Sequence, residues 1–535
     1  MKATRRDVLA GLSASLSAAA LMSRTEATAA NSSSPIKGGV LRMWVNEPTT
    51  LTSAYTSAGQ TYYTSGKIFD GLVEYDFDMK PKPKLATSWD LSPDGLTLRF
   101  TLRGDVKWHD GKPFTSSDLQ YSALEIWRKL HPRGRSTWAN LASVETPNAT
   151  TAIFRFSKPS PYVLNALISP EAQVLPRHLY EGKDVLTNPA NIAPIGNGPF
   201  RFKEWQRGDY ILLERNSDYW DKGKPYLDQI VYRIIPDASS RSVAFEANEI
   251  DIGGGIPISL ADARRLEKIP TLEIPERGAE AYGNNTFLEV NVRRPYLQDR
   301  RVRQAFLHGL DRDFILKNIF FNFGQVATGP IPYTINTFYT ADVPKYDYSL
   351  DKANALLDEA GQKRGADGTR FKVTIDVLPF GEYHFRMADY LKQQFALLGI
   401  AAEIRNADFA TYYRRIYTDY DFDVTCSGAS ALTDPTIGVQ RFFWSKNIIK
   451  GVPFSNGTGY SNPEVDAILE AAQTEIDPQK RVALFHQFQQ KVVDDLPILP
   501  MCDVPYFTVK SKSVKNTENS PFGISDNFAE VYIEG

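Results

Sequence analysis

Cysteine is close to absent from this chain. Two residues in 535, Cys426 and Cys502, cannot supply a disulfide framework. One bridge between them and two buried thiols both remain open, with buried thiols the simpler expectation. An excess of charge of one sign is missing as well: 61 Lys and Arg against 63 Asp and Glu leave a net −2. No overall field therefore draws the chain to nucleic acid. There is no G-x-S-x-G, no H-E-x-x-H, no C-x-x-C and no Walker loop, and the carboxylates fall into no recognisable paired spacing. Gly253-Gly254-Gly255 lacks the context of a phosphate loop and reads as a flexible strand exit. The familiar nucleophilic, metal and nucleotide chemistries thus have no signature here, and no cofactor or metal is expected.

What is present is the composition of a large globular protein. Hydrophobic residues make up 42%, charged residues 23% and aromatics 12%, enough to bury thick cores, and the length calls for two or three domains. Residues 1–29 look like a cleaved export signal. Lys2 and Arg5-Arg6 precede the short apolar run Val8–Met22, and Ala27-Thr28-Ala29 offers a cleavage site before Ala30. Thr4-Arg5-Arg6-Asp7-Val8-Leu9 favours the twin-arginine route, with an ordinary Sec signal as the alternative. The run is too short and too rich in Ser and Ala for a retained membrane span, and no nearby Cys offers a lipid anchor. A soluble protein outside the cytoplasm, in the periplasm, is expected.

Strands and helices alternate along the rest of the chain. Ser92-Pro93-Asp94-Gly95 is a tight turn, and Leu96–Leu102 alternates apolar and polar residues as a half-buried strand does. Thr115-Ser116-Ser117-Asp118 caps a helix expected over Leu119–Leu130. Strands are predicted at Val40–Val45, Thr151–Phe156, Gly198–Trp205, Tyr210–Arg215, Ile230–Ile235, Glu249–Ile252, Asn284–Val292, Phe371–Val377, Ala401–Arg405 and Asp421–Thr425. Asp299–Asn318, Arg386–Leu398 and Lys480–Asp495 follow helical spacing.

Leu85–Ser122 (LATSWDLSPDGLTLRFTLRGDVKWHDGKPFTSSDLQYS) resembles the peptide/opine/nickel class of extracytoplasmic solute-binding proteins, family 5, that serve ABC importers. So do Asn197–Trp220, Asn291–Leu310, Gly459–Asp466 and the stretch from Lys480 to Pro500, in the family's order. The resemblance implies an α/β, hinge-closing protein of two lobes with an extra subdomain inserted in the first. On that pattern the first lobe takes residues 37–80, 195–283 and 508–535, the insertion 81–194 and the second lobe 284–507. It also implies a monomeric carrier rather than an enzyme. A small polar ligand (peptide, opine or sugar-conjugate) would be captured between the lobes and passed to an inner-membrane ABC permease. The alternatives are a secreted hydrolase acting on a glycan or peptide in the same cleft, and a ligand sensor outside transport.

Ligand contacts are expected from inter-lobe strands and adjacent loops. Ser427–Pro435 reads as a loop leaving a strand at its carboxyl end, a favoured ligand position on α/β sheets. Peptide-holding members place an acid here for the ligand's ammonium, and in this chain that place falls on Ala431. Either Asp434 has taken the role or the ligand lacks a free amine there; as an alternative, Asp434 caps a turn. Arg386 is a candidate for a ligand carboxylate, with pairing to Asp389 as the plainer reading. Trp44, Asn46 and Glu47 follow the first strand, and Tyr282, Asn284 and Asn285 stand at the expected crossover. Ser427 and Trp444 complete the set, and His384 is a weak metal-ligand candidate. Asn216, Tyr219 and Trp220 are assigned to packing, and Arg301 and Arg303 to solvent or to pairing with Asp299 and Asp311.

Overall fold

The structure, a computed structural model, describes residues 35–534; the export-signal reading falls on residues outside that range. Two large sheets organise the chain. The first has seven strands in the spatial order Leu272–Glu273, Val509–Ser511, Ile252–Gly253, Val40–Val45, Gln229–Ile234, Tyr210–Arg215, Phe200–Gln206. The second has six: Gln325–Val326, Ile498–Asp503, Asn284–Val290, Val424–Ser430, Phe371–Val377, Ile400–Arg405. A separate four-stranded antiparallel sheet is built from Ala86–Leu91, Thr97–Leu102, Thr151–Phe156 and Leu141–Asn148.

The chain crosses between the two large sheets at Glu273–Asn284 and returns at Asp503–Val509. At these crossings the Tyr282 and Tyr506 rings lie 6.0 Å apart. The result is a two-lobed α/β fold with a third sheet attached to the first lobe, as the resemblance implies.

Local chemistry explains most elements. The Ser92 N–H donates to the Thr97 carbonyl across the predicted turn, where Gly95 has φ +67°. Thr115 and Asp118 form a reciprocal capping box, so the following helix starts at Ser116, three residues before the predicted start, and widens into a π-helical turn over Ser122–Trp127. The helix expected over Asp299–Asn318 is two helices, Arg300–His308 and Arg312–Asn318. Gly309 lets the turn approach Leu398 where a Cβ would lie 2.7 Å away, and Asp311 caps the second helix through the Phe314 N–H. Arg301 pairs with Asp299 as predicted, but Arg303 is buried and donates to the carbonyls of Leu297, Gln298 and Asp495. The Asn216, Tyr219 and Trp220 side chains join a packed turn, with Tyr219 and Trp220 both donating to Asp70.

The strand Asn284–Val290 is buried along its whole length, between Val424–Ser430 and Ile498–Asp503. Ile498–Asp503 carries Pro500, which lacks an N–H, and the register shifts there between Thr286 and Phe287. That bulge reconciles a proline with an interior strand. Cys426 and Cys502 sit on the two flanking strands as free, buried thiols, and burial pushes both well above the usual thiol range.

Glu289 on the central strand is fully buried and accepts a 2.9 Å hydrogen bond from the Tyr417 hydroxyl. Burial pushes its carboxyl up to about 7. A carboxyl raised in the folded state binds a proton that the unfolded chain has released, so it lowers stability as pH rises from its ordinary range through 7. Glu289→Gln is therefore expected to gain stability relative to the parent over that interval, on the order of 3 kcal/mol at most. Paired thermal melts at pH 5 and pH 7.5 test this; a difference between the two proteins that does not change with pH would refute it. A thiol reagent added to the native protein is expected to modify neither cysteine, and both after unfolding.

Candidate functional site

Between the lobes lies a cavity of about 1330 Å³, above the roughly 300–1,000 Å³ of ordinary small-molecule sites. Its floor comes from the paired strands of the second sheet: Asn284 and Thr286 from one, Gly428, Ala429 and Ser430 from the other. Pairing of Asn284 with Ser430 through Phe287 with Ser427 extends the strand beyond the predicted Thr425. Ser427–Ser430 is consequently strand rather than loop. Tyr282 and Tyr506 bring the two crossings to the wall, and Trp44 and Asn46 contribute from the end of the first lobe's Val40–Val45 strand. Gly255 also lines it, at φ +71°, where a Cβ would fall 2.1 Å from the Tyr63 hydroxyl. The triple glycine thus serves close approach rather than flexibility.

Five of the predicted residues line this cavity: Trp44, Asn46, Tyr282, Asn284 and Trp444. The Trp44 indole donates to the Ile235 carbonyl and stacks under the Arg241 guanidinium at 4.3 Å. The Trp444 indole donates to Glu470 at 3.0 Å, and Lys446 pairs with the same carboxylate at 2.6 Å.

The other predicted residues sit elsewhere. Glu47 accepts from the Trp205 indole and the Gly208 N–H, off the cavity. Arg386 is exposed and pairs with Glu382 at 2.7 Å, one helical turn away, rather than with Asp389. Ser427 and Asn285 are buried beneath the floor, with Asn285 donating to the Gly329 carbonyl. Ala431 faces a separate apolar space beside Phe442 and Phe443.

Asp434 is fully buried and forms a fork with Arg481, at 2.7 Å to each guanidinium nitrogen. It also caps the short helix Pro435–Gly438 and accepts from Asn165 of the inserted region. All of its acceptor capacity toward charge is committed within the protein, so the capping alternative describes it better than the ligand one.

Several wall residues carried no recognisable pattern in the sequence. Tyr63, Phe409, Tyr413 and Phe454 give flat aromatic faces, and Arg133 and Arg441 reach the cavity from opposite lobes. Arg133 is held by Glu171, with Nε to Oε2 at 2.9 Å, and by the Tyr62 hydroxyl. His384 lines the cavity but is buried, with Nδ1 against the Phe380 carbonyl, and burial lowers it to about 4. It is neutral at ordinary pH. No group of three or more His, Cys, Asp or Glu residues placed to hold a metal occurs among the described residues.

Removing Asp434 would leave Arg481 as an unpaired buried charge, which costs about 3–5 kcal/mol. Asp434→Ala is therefore expected to melt well below the parent in the absence of any ligand. An unchanged ligand-free melting temperature would contradict the structural role assigned here.

A family model described as bacterial extracellular solute-binding proteins, family 5, middle region, matches residues 80–451. The oligopeptide-binding protein AppA of Bacillus subtilis is 29% identical over 479 residues, covering 86% of each chain. Its structure in complex with a nonapeptide superposes with a TM-score of 0.78 at 27% identity, over 94% of this chain and all of that one. The binding protein AgaA of A. tumefaciens R10, in complex with agropinic acid, gives a TM-score of 0.76 at 26% identity, over 93% and 99% of the two chains. With the match spanning well over half the sequence and the two-lobed fold in place, this chain belongs to the bacterial extracellular solute-binding proteins of family 5.

Proposed function

We propose that this chain is the exported receptor of an ABC importer. It captures one polar ligand of peptide, opine or sugar-conjugate size between its lobes and presents the closed form to an inner-membrane permease. The observation that carries this reading is the 1330 Å³ inter-lobe cavity, walled by strands and loops from both sheets. Such a space holds a ligand by contacts made only when the lobes are together, and those contacts shift the protein toward closure. The peptide and opine seen in the relatives' structures support the size class. Export to the periplasm rests on the residues 1–29 pattern, and a monomer suffices because one chain builds every wall of the cavity.

The two crossings at Glu273–Asn284 and Asp503–Val509 are the only covalent links between the large sheets among the described residues, which makes them the hinge. The inserted region clasps the second lobe on the far side. Asn165 donates to Asp434 at 3.0 Å, and its carbonyl accepts from the Thr433 hydroxyl at 2.6 Å. A hydrolase would need a pair of carboxyl groups facing the bound substrate. The cavity wall carries Glu470 alone, already engaged by Trp444 and Lys446.

Native mass spectrometry of protein purified without refolding is expected to show a co-purified small molecule, and adding that molecule back should raise the melting temperature. Turnover of the bound molecule, or no thermal response to any peptide, opine or oligosaccharide, would sink the carrier reading.

A further inference from the structure

The charged side chains lining the cavity are not balanced. Arg133, Arg135, Lys158, Arg441 and Lys446 face Glu470 alone. Arg133 is neutralised by Glu171 from behind the wall, and Lys446 by Glu470. Arg135 and Lys158 are surface residues at the rim. Arg441 is different: it is half-buried in the wall, and among the described residues no carboxylate forms an ion pair with it. Nε donates to the Gly438 carbonyl at 3.0 Å, and the plane stacks near Phe442 and Phe454, at 4.8 and 5.7 Å. That leaves the two terminal nitrogens, with four N–H donors, facing the cavity without an acceptor among the described residues.

The carboxyl groups that Arg441 senses electrostatically do not neutralise it. Glu171 belongs to Arg133, and Glu289, raised to about 7 by burial, accepts from the Tyr417 hydroxyl and forms no ion pair with Arg441 among the described residues. Burial and the nearby Arg133 charge lower Arg441 to about 10, so it stays cationic at neutral pH. Beside it Gln440 is almost wholly buried, lines the same cavity and has an unpartnered Oε1. A half-buried guanidinium without an anion gives up part of its hydration for no ion pair, and a ligand oxyanion supplies that pair.

The opposite requirement is not met. A ligand ammonium would need a free carboxylate, yet Ala431 supplies none, Asp434 is locked to Arg481, and Glu470 is taken. We propose that Arg441 is the anion subsite, and that the ligand is an organic acid whose carboxylate, or equivalent oxyanion, docks there without a compensating free ammonium. The aromatic faces of Tyr413, Phe454 and Trp444 then take the uncharged body of that acid. This assignment rests on the carrier reading and adds the charge class of its cargo.

The test is a defined mixture presented to purified protein, with retention read by native mass spectrometry and equilibrium dialysis. It contains N-acetyl-trialanine and lactobionate as acids, with trialanine, trialanine amide and lactose as counterparts that carry a free ammonium or no charge. Retention of an acid in preference to its counterparts is expected. Arg441→Gln should weaken that retention about ten- to a hundred-fold, with Arg441→Lys intermediate and both variants checked for parental melting. Should Arg441→Gln not fold, the parent's acid-over-counterpart ratio and Arg441→Lys decide the matter. Retention of lactose, trialanine or its amide instead would leave the carrier reading standing and overturn the anion assignment. So would an acid held equally by the parent and a folded Arg441→Gln, and retention of nothing would count against both.

Discussion

The backbone ladder of Asn284–Val290 is the constraint on which the rest of this protein depends. Its seven residues are buried and paired on both sides, so the strand can neither slip nor rotate without exposing a run of unpaired peptide groups. The strand begins directly after the first crossing, and its neighbour Ile498–Asp503 ends directly before the second. The two places where the lobes are joined are therefore set by one three-stranded pairing. The same pairing delivers Asn284, Thr286, Gly428 and Ser430 to the cavity floor.

Around that floor the protein separates charges that must be satisfied internally from those left facing the cavity. The Asp434–Arg481 fork and the Arg133–Glu171 pair are closed ion pairs in largely buried settings. Such pairs contribute little net stability against apolar replacements, but they are severe to break one-sidedly. They hold surfaces together in fixed register and present no free charge to a ligand. The cavity wall keeps its own unmatched charge, and in a low-dielectric, aromatic-lined space that imbalance is what discriminates between cargos.

Much of the fold was legible along the chain, and the reasons are local. The turn at Ser92–Gly95, the Thr115–Asp118 capping box and the Tyr210–Arg215 strand each depend on residues within a few positions of one another. Errors arose where a distant contact overrode the local pattern. The helix expected over Asp299–Asn318 breaks at Gly309, which packs against Leu398 too closely for a side chain, and restarts under the Asp311 cap. Strand Ile498–Asp503 was obscured by Pro500, whose missing N–H is accommodated by a register shift beside it, where Thr286 faces Cys502 and Phe287 faces Pro500. The site followed the same division. Trp44, Asn46, Tyr282 and Asn284 lie on or beside recognisable strands or crossings and do reach the cavity, as does Trp444. Arg386, one helical turn from Glu382, and Asp434, opposite Arg481 forty-seven residues later, do not.

The sequence by itself determined most of the element order, through periodicity and turn chemistry, and it pointed to the family and the two-lobed plan through the resemblance carried by its ordered motifs. It also marked the departure at Ala431. Which side chains face the ligand was decided only by the tertiary structure. A charged residue is available or spent according to partners that arrive from elsewhere in the chain. Asp434 is spent on Arg481, Arg133 on Glu171 and Lys446 on Glu470, while Arg441, with no distinguishing neighbour in sequence, is left facing the cavity without one.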